Sequence, residues 1–203
     1  ESVATKRWTN NRKKEIIESR VKSSQRIVKA LREIPNKVKT VVSASAVGYY
    51  GPDNPHREKA FIETDLSSND FLGQTCAQWE KAVQPVEELG KRLVTLRTGI
   101  ALSNQGGALR EFKKPIRFGL ATIFGKGNQM VSWIHIDDLC RVFNEAIDNP
   151  QLRGTYNAVS PNPVTNKVLT MELANRLKGK FYIPMHVPEF VIKIMLGERS
   201  IEV

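Results

Sequence analysis

The segment VVSASAVGYYG, Val41 to Gly51, starts as an apolar run and ends in hydroxyls, with Ser43, Ser45, Tyr49 and Tyr50 close together. A hydroxyl at a strand end can hold a substrate oxygen, and a phenol can pass a proton. Open α/β sheets bind ligands just beyond the carboxyl ends of their strands, which is where these side chains fall. Contact with a bound cofactor and the closing of a tight turn are equally open readings. A tyrosine that ends a strand also packs well with its hydroxyl bonded to a neighbour.

Other reactive residue types are sparse. Two cysteines, Cys76 and Cys140, provide neither a disulfide framework nor a metal quartet, and His56, His135 and His186 are scattered. Cys76 shares a helical face with Leu72 and Trp79 and reads as a small buried hydrophobe. His135 precedes a helix start, where a histidine caps or makes a buried hydrogen bond. Gly106, Gly107, Gly125 and Gly127 permit tight turns, but no Lys-Ser or Lys-Thr follows them, so they are not a P-loop.

The net charge of +10 is spread over many segments. Its densest cluster, Arg12-Lys13-Lys14, opens an amphipathic helix with no interleaved aromatic ladder, which favours a solvated basic surface over a nucleic-acid site. No apolar run approaches the roughly 18 residues of a membrane helix, so no membrane partner is expected. The start, ESVATKRWTNN, has neither a methionine nor a signal-peptide core, and it reads as cut from a longer chain. With so few cysteines, the reducing cytoplasm is the expected setting.

Several elements must position these groups. Ile17, Val21, Ile27, Val28 and Leu31 predict one helix from about Arg12 to Glu33, ended by Pro35-Asn36. VKTVVSAS is apolar on both faces, as in a parallel sheet covered by helices. Ser68-Asn69-Asp70 starts a second helix, kinked or shortened by Pro85 and closed by Gly90. RLVTLRTGIAL predicts one strand with its outgoing turn. The stretch from Ser103 to Gln129 is predicted to be a binding loop, being too long for an ordinary connector. MVSWIHI, a helix from Asp137-Asp138 to Asn149, and the strand GTYNAV follow. Strand–helix alternation makes the expected class α/β.

In order and spacing, VVSASAVGYYG, LRTGIAL, GKGNQMVSWIHIDDL and GTYNAVSPNPVTN, with RWTNNRKKEIIESR, GGAL and LGE, resemble one family. It is the atypical short-chain dehydrogenase/reductase family, labelled NAD-dependent epimerase/dehydratase or cell-division-inhibitor-like. The resemblance covers essentially the whole chain. It implies a Rossmann-type doubly wound parallel sheet and a small C-terminal substrate-side lobe. Residues 1–102 would be the remainder of the dinucleotide-binding domain. Residues 103–203 would complete the sheet and form the lobe. Glu1 would correspond to the glutamate of an Ala-Gly-Glu tripeptide. On the order of 60 preceding residues with the Gly-rich turn would then be missing, about two βαβ-sized units.

Redox members of that superfamily use a serine together with a tyrosine and a lysine four residues apart on one helix face. By resemblance Ser45 is the serine, but the helix from Asp70 carries Leu72 and Cys76 where the pair should stand. Neither can relay a proton, which leaves Tyr49 as the candidate substitute. The resemblance also makes Glu15 and Arg20 cofactor-contacting, with Ser43, Ala44, Ser45, Arg97, Thr98, Gly99, Ile100 and Ala101 along the nicotinamide side. Arg97 has a second reading, in which it pins its strand end to a carboxylate such as Glu80. Val131 replaces the arginine that grips a substrate diphosphate in nucleotide-sugar enzymes, and Trp133 and His135 form pocket wall or core.

The resemblance therefore implies a nucleoside-diphosphate-sugar-epimerase-like oxidoreductase that binds NADP, with NAD as the alternative. Its small-molecule substrate is unidentified and a homodimer is left open. A non-catalytic cofactor-sensing or cell-division-associated regulator is the second reading, since the proton-transfer pair is absent.

Overall fold

The computed structural model describes Val3, residues 7–53 and residues 59–191; Glu1, His56 and the LGE motif lie outside them. Thr9 caps the first helix, α1 (Asn10–Glu33), by accepting the Arg12 N–H, and the helix buries a stripe that includes Ile16, Ser24 and Val28. Strand β1 (Thr40–Ala46) runs into a single 3-10 turn at Val47–Tyr50. Asp70 then caps α2 (Phe71–Val83) through the Gly73 N–H. That helix gives way at Gln84–Leu89 to 3-10 geometry, where Pro85 has no N–H to continue the ladder. Gly90, at φ 70°, makes the left-handed turn into β2 (Arg92–Thr98).

The chain continues through β3 (Ile100–Leu102), α3 (Gly107–Arg117), β4 (Leu120–Phe124), β5 (Met130–Val131), β6 (Trp133–His135) and α4 (Ile136–Asp148). It closes with β7 (Gly154–Ala158), β8 (Val164–Thr165), α5 (Asn166–Lys178) and β9 (Ile183–Val187).

Two expectations are corrected. The stretch from Ser103 to Gln129 is not a loop, because α3 and β4 occupy most of it. Leu109, Phe112 and Ile116 carry a helical period there, and Pro115, inside the last turn, removes the N–H that would otherwise reach back to the Glu111 carbonyl. RLVTLRTGIAL is two strands, since β2 joins one sheet and β3 another. They part at Gly99, where an added Cβ would lie 2.5 Å from the Ser132 carbonyl oxygen.

Contacts divide the chain into two compact units, Glu1–Thr98 with Cys140–Ala158, and Gly99–Leu139 with Val159–Val203. The division thus falls just before Gly99 rather than after residue 102, and the second half returns α4 residues and β7 to the first unit. Pairing explains the return, because β7 lies parallel to β2.

The first unit holds a parallel sheet in the order β1-β2-β7. Leu93 packs with Val28, Val83 and Val86 from the α1–α2 side. Its neighbour Arg92 points the other way, as strand alternation requires, and donates to the carbonyls of Ala146, Ile147 and Leu152 at the end of α4. Helices thus cover both faces, and the class is α/β with a Rossmann-like parallel sheet.

The second unit is built from short pairs, β3–β6 and β4–β9 parallel and β5–β8 antiparallel. Its core gathers Ile116, Ala121 and Ala174 with Met171, Leu173 and Tyr182. Among the described residues no helix is long and apolar enough to cross a membrane.

Candidate functional site

Parallel register brings Ser43 opposite Thr95, Ala44 opposite Leu96, Ser45 opposite Arg97 and Ala46 opposite Thr98 at the carboxyl ends of β1 and β2. Arg97 is in turn the register partner of Asn157 on β7. Cys76 and Glu80, four residues apart on α2, share the helix face turned to this edge.

A buried polar network results. Arg97 grips Glu80 with two parallel bonds, Nε to Oε1 at 2.9 Å and Nη2 to Oε2 at 2.8 Å, the bidentate geometry that gives arginine–carboxylate pairs their strength. Its Nη1 donates to the Tyr50 hydroxyl at 2.9 Å and to the Glu63 carbonyl at 3.1 Å. The Tyr50 hydroxyl in turn donates a hydrogen bond to Asn157 Oδ1 at 2.7 Å. The Asn157 N–H bonds the Glu63 carboxylate at 2.8 Å, so one residue of the loop before α2 is held at both ends. The Arg97 guanidinium also lies 3.4 Å from the centre of the Tyr49 ring. The pinning role foreseen for Arg97 is therefore present, on the carboxylate named.

Ser45 is 2% exposed and donates its hydroxyl to Glu80 Oε1 at 2.6 Å. The Thr98 hydroxyl fixes the Ser45 carbonyl at 2.9 Å, and the Ser43 hydroxyl bonds the Ala44 carbonyl at 3.3 Å. Burial raises the Tyr50 phenol above its ordinary range, with the Arg97 and Asn157 bonds opposing. Burial also works to lower the Arg97 pKa, but Glu80 and Tyr50 together carry it upward, so the guanidinium stays charged.

Leu72 and Cys76 both lie on α2. Cys76 is buried, and desolvation, reinforced by the Glu80 charge, pushes its thiol up to about 11. A thiol of that pKa is neutral and inert at physiological pH.

Arg20 braces its guanidinium over Trp79, 5.3 Å from the ring centre, and donates to the Ile16 carbonyl and the Ser19 hydroxyl. Desolvation lowers its pKa, and the neighbouring Arg12 charge adds to that. Glu15, three residues from Arg12, is exposed and ion-paired to it at 2.8 Å.

In the second unit Ile100, Ala101 and Leu102 pair with Trp133, Ile134 and His135, so the nicotinamide-side candidates Ile100 and Ala101 lie beside the substrate-pocket candidates Trp133 and His135. The Trp133 indole donates to the Asn162 carbonyl at 3.1 Å. His135 accepts the Asp137 N–H on Nδ1 at 3.2 Å, which caps α4. Sequence reasoning missed Glu63 and Asn157, which no local pattern marks. Tyr50 was visible, but its buried partners were not.

A family model described as the NAD dependent epimerase/dehydratase family matches residues 1–159. The chain belongs to this family. A Mycobacterium bovis epimerase family protein, Mb2239, is 33% identical over 99% of this chain and 64% of its own length. YfhF of Bacillus subtilis, also called an epimerase family protein, is 35% identical over 96% of this chain and 63% of its own. The chain thus spans slightly less than two thirds of these curated relatives. The solved structure of human epimerase family protein SDR39U1 with NADPH superposes at a TM-score of 0.89, with 29% identity over 99% of this chain and 68% of that one. Epimerase-family membership agrees with the parallel sheet and with its ordered strand-end motifs.

The residues present fit a dinucleotide unevenly. Ala44 and Ala46 offer nothing larger than a methyl group at the strand end, so a flat ring can approach the backbone. Arg20 presents a half-buried guanidinium of the kind that suits phosphate or ribose oxygens. Ser45 and Arg97, by contrast, direct donors into the protein.

Proposed function

We propose that the carboxyl edge of β1 and β2 binds the nicotinamide side of NADP(H), in preference to NAD(H). The full-length protein would be an oxidoreductase of the atypical short-chain dehydrogenase/reductase kind, acting on an unidentified small molecule. The observation that carries the proposal is the parallel register of Ser45 with Arg97 at the edge where open α/β sheets take ligands. The family match and the NADPH held by the human relative support it.

In this proposal Ser43, Ala44 and Ser45 floor the site, Arg97 and Thr98 flank it, and Glu15 and Arg20 reach the cofactor's ribose or phosphate. Gly99, Ile100 and Ala101 continue the nicotinamide-side contacts, and Trp133 and His135 are the candidates for substrate recognition. When bound, the nicotinamide supplies or accepts a hydride. The chain's own residues orient it. Because the Ser45 proton is donated to Glu80, this serine offers lone pairs rather than a proton outward. Tyr49, its ring stacked on Arg97, is then the phenol proposed to exchange a proton with substrate.

Calorimetric titration of the full-length protein with NADPH tests the proposal. Micromolar or tighter binding is expected, weakened by Arg20→Ala by roughly 1–2 kcal/mol, the scale of a charge-assisted hydrogen bond. No detectable binding would refute the function, and unchanged affinity in the variant would remove Arg20 from the site.

A further inference from the structure

In the β4–β9 ribbon of the second unit, β4 buries Ala121 and Ile123, whereas β9 is exposed along most of its length. Tyr182 packs inward with Ile116, Ala121 and Ala174. Residues 183 to 186 of β9 are all exposed, the apolar Ile183 and Met185 at 67% and 40%. Phe181 beside them is 87% exposed, and Phe118, at the end of α3, is 86% exposed. Gly119 follows Phe118, and its carbonyl accepts the Ile183 N–H at 2.8 Å, which sets both phenylalanines at the same end of the ribbon. A contiguous bare patch of this kind marks an interaction site, unlike isolated surface apolar residues.

The rim is basic. Arg117 ends α3, Lys178 ends α5 and Lys180 immediately precedes Phe181. The nearby acids Glu111 and Glu172 are paired with Lys114 and Arg176, so they leave the rim positive.

The chemistry of the occupant follows from three contrasts. Ile183 donates to Gly119, and Val187 accepts from the Gly125 N–H, so the odd residues of β9 bond to β4 while Pro184 and His186 face the open edge. Pro184 has no N–H to offer there, which disfavours an added strand from a second copy. Nucleic-acid bases would stack on the two rings but find no use for the aliphatic Ile183 and Met185. A lipid surface uses everything present. Apolar tips enter the acyl boundary, and lysine and arginine stems reach anionic headgroups.

We propose that this end of the ribbon docks the protein peripherally on an anionic lipid bilayer. The lack of a spanning helix does not bear on such docking, which needs none.

Co-sedimentation of the 203-residue chain with vesicles of phosphatidylcholine, with and without phosphatidylglycerol, tests the proposal. The mixed vesicles should bind the chain at least about tenfold more tightly than the neutral ones. Phe118→Ser with Phe181→Ser should reduce that binding by about tenfold, as should Lys178→Glu with Lys180→Glu. The phenylalanine pair is solvent-exposed, so its replacement leaves the melting temperature unchanged and the comparison valid. Equal binding to both vesicle types, no binding at all, or indifference to the phenylalanine pair overturns the proposal. So does a dimer in light scattering that the phenylalanine pair dissociates, since the patch would then join two copies.

Discussion

Arg97 ties together the strand, α2 and the loop before it, since Glu80, Tyr50 and the Glu63 carbonyl all depend on one guanidinium. Removing one partner of a buried pair leaves the other charge uncompensated, at a cost of about 3–5 kcal/mol. Arg97→Leu should therefore lower the unfolding free energy in urea by that amount, and Arg97→Lys should recover only part of it because a lysine cannot grip Glu80 bidentately. A loss below about 1 kcal/mol, the range of exposed pairs, would show that the network is not buried in solution.

Cys76 gives a second test, in pH. Its pKa is raised from 9.0 to about 11 in the fold. The stability this thiol contributes is complete below its unfolded pKa and is lost as pH rises from about 9 to about 11, because only the unfolded chain releases the proton there. Denaturation curves across that window should fall more steeply for the wild type than for Cys76→Ala. Parallel curves would mean that the thiol is hydrated.

Part of this scale was legible. The Arg97–Glu80 contact was one of two readings of Arg97, and the buried, packed character of Cys76 followed from its place on the Leu72–Trp79 helix face. The commitment of the Ser45 hydroxyl to Glu80 could not be read, because it depends on how α2 lies against β1.

At the scale of elements, helical periods located α1 and α2, and Asp70 marked a helix start that the Gly73 N–H bears out. Pro115 concealed α3, since a proline within a helical period reads as a breaker. Gly99 concealed the end of β2. The strand parts there because of which partner each half finds, and only tertiary pairing decides that. Gly127 is a turn whose need is now explicit. At φ 76° it lies so close that an added Cβ would be 2.5 Å from Ile123 Cγ2 and 2.7 Å from Lys167 Cβ. Gly127→Ala should destabilise the protein by roughly 1–3 kcal/mol, from the left-handed backbone and the crowding together. Thermal unfolding checks this, and an unchanged melting temperature would mean that the turn relaxes freely.

For the whole molecule, the class was legible because strand–helix alternation and strands apolar on both faces leave few alternatives to a covered parallel sheet. The two-unit division was less so. It is non-contiguous, with Cys140–Ala158 drawn back to the first unit by the β2–β7 pairing, and composition carries no trace of such a return. The proposed function puts a nicotinamide ring at the carboxyl ends of β1 and β2. A crystal structure of the full-length protein grown with NADPH tests this most directly. The account predicts the nicotinamide ring in van der Waals contact with the backbone at Ala44 and Ser45, with the Arg20 guanidinium on a ribose or phosphate oxygen. A cofactor bound away from the carboxyl ends of β1 and β2 would contradict it.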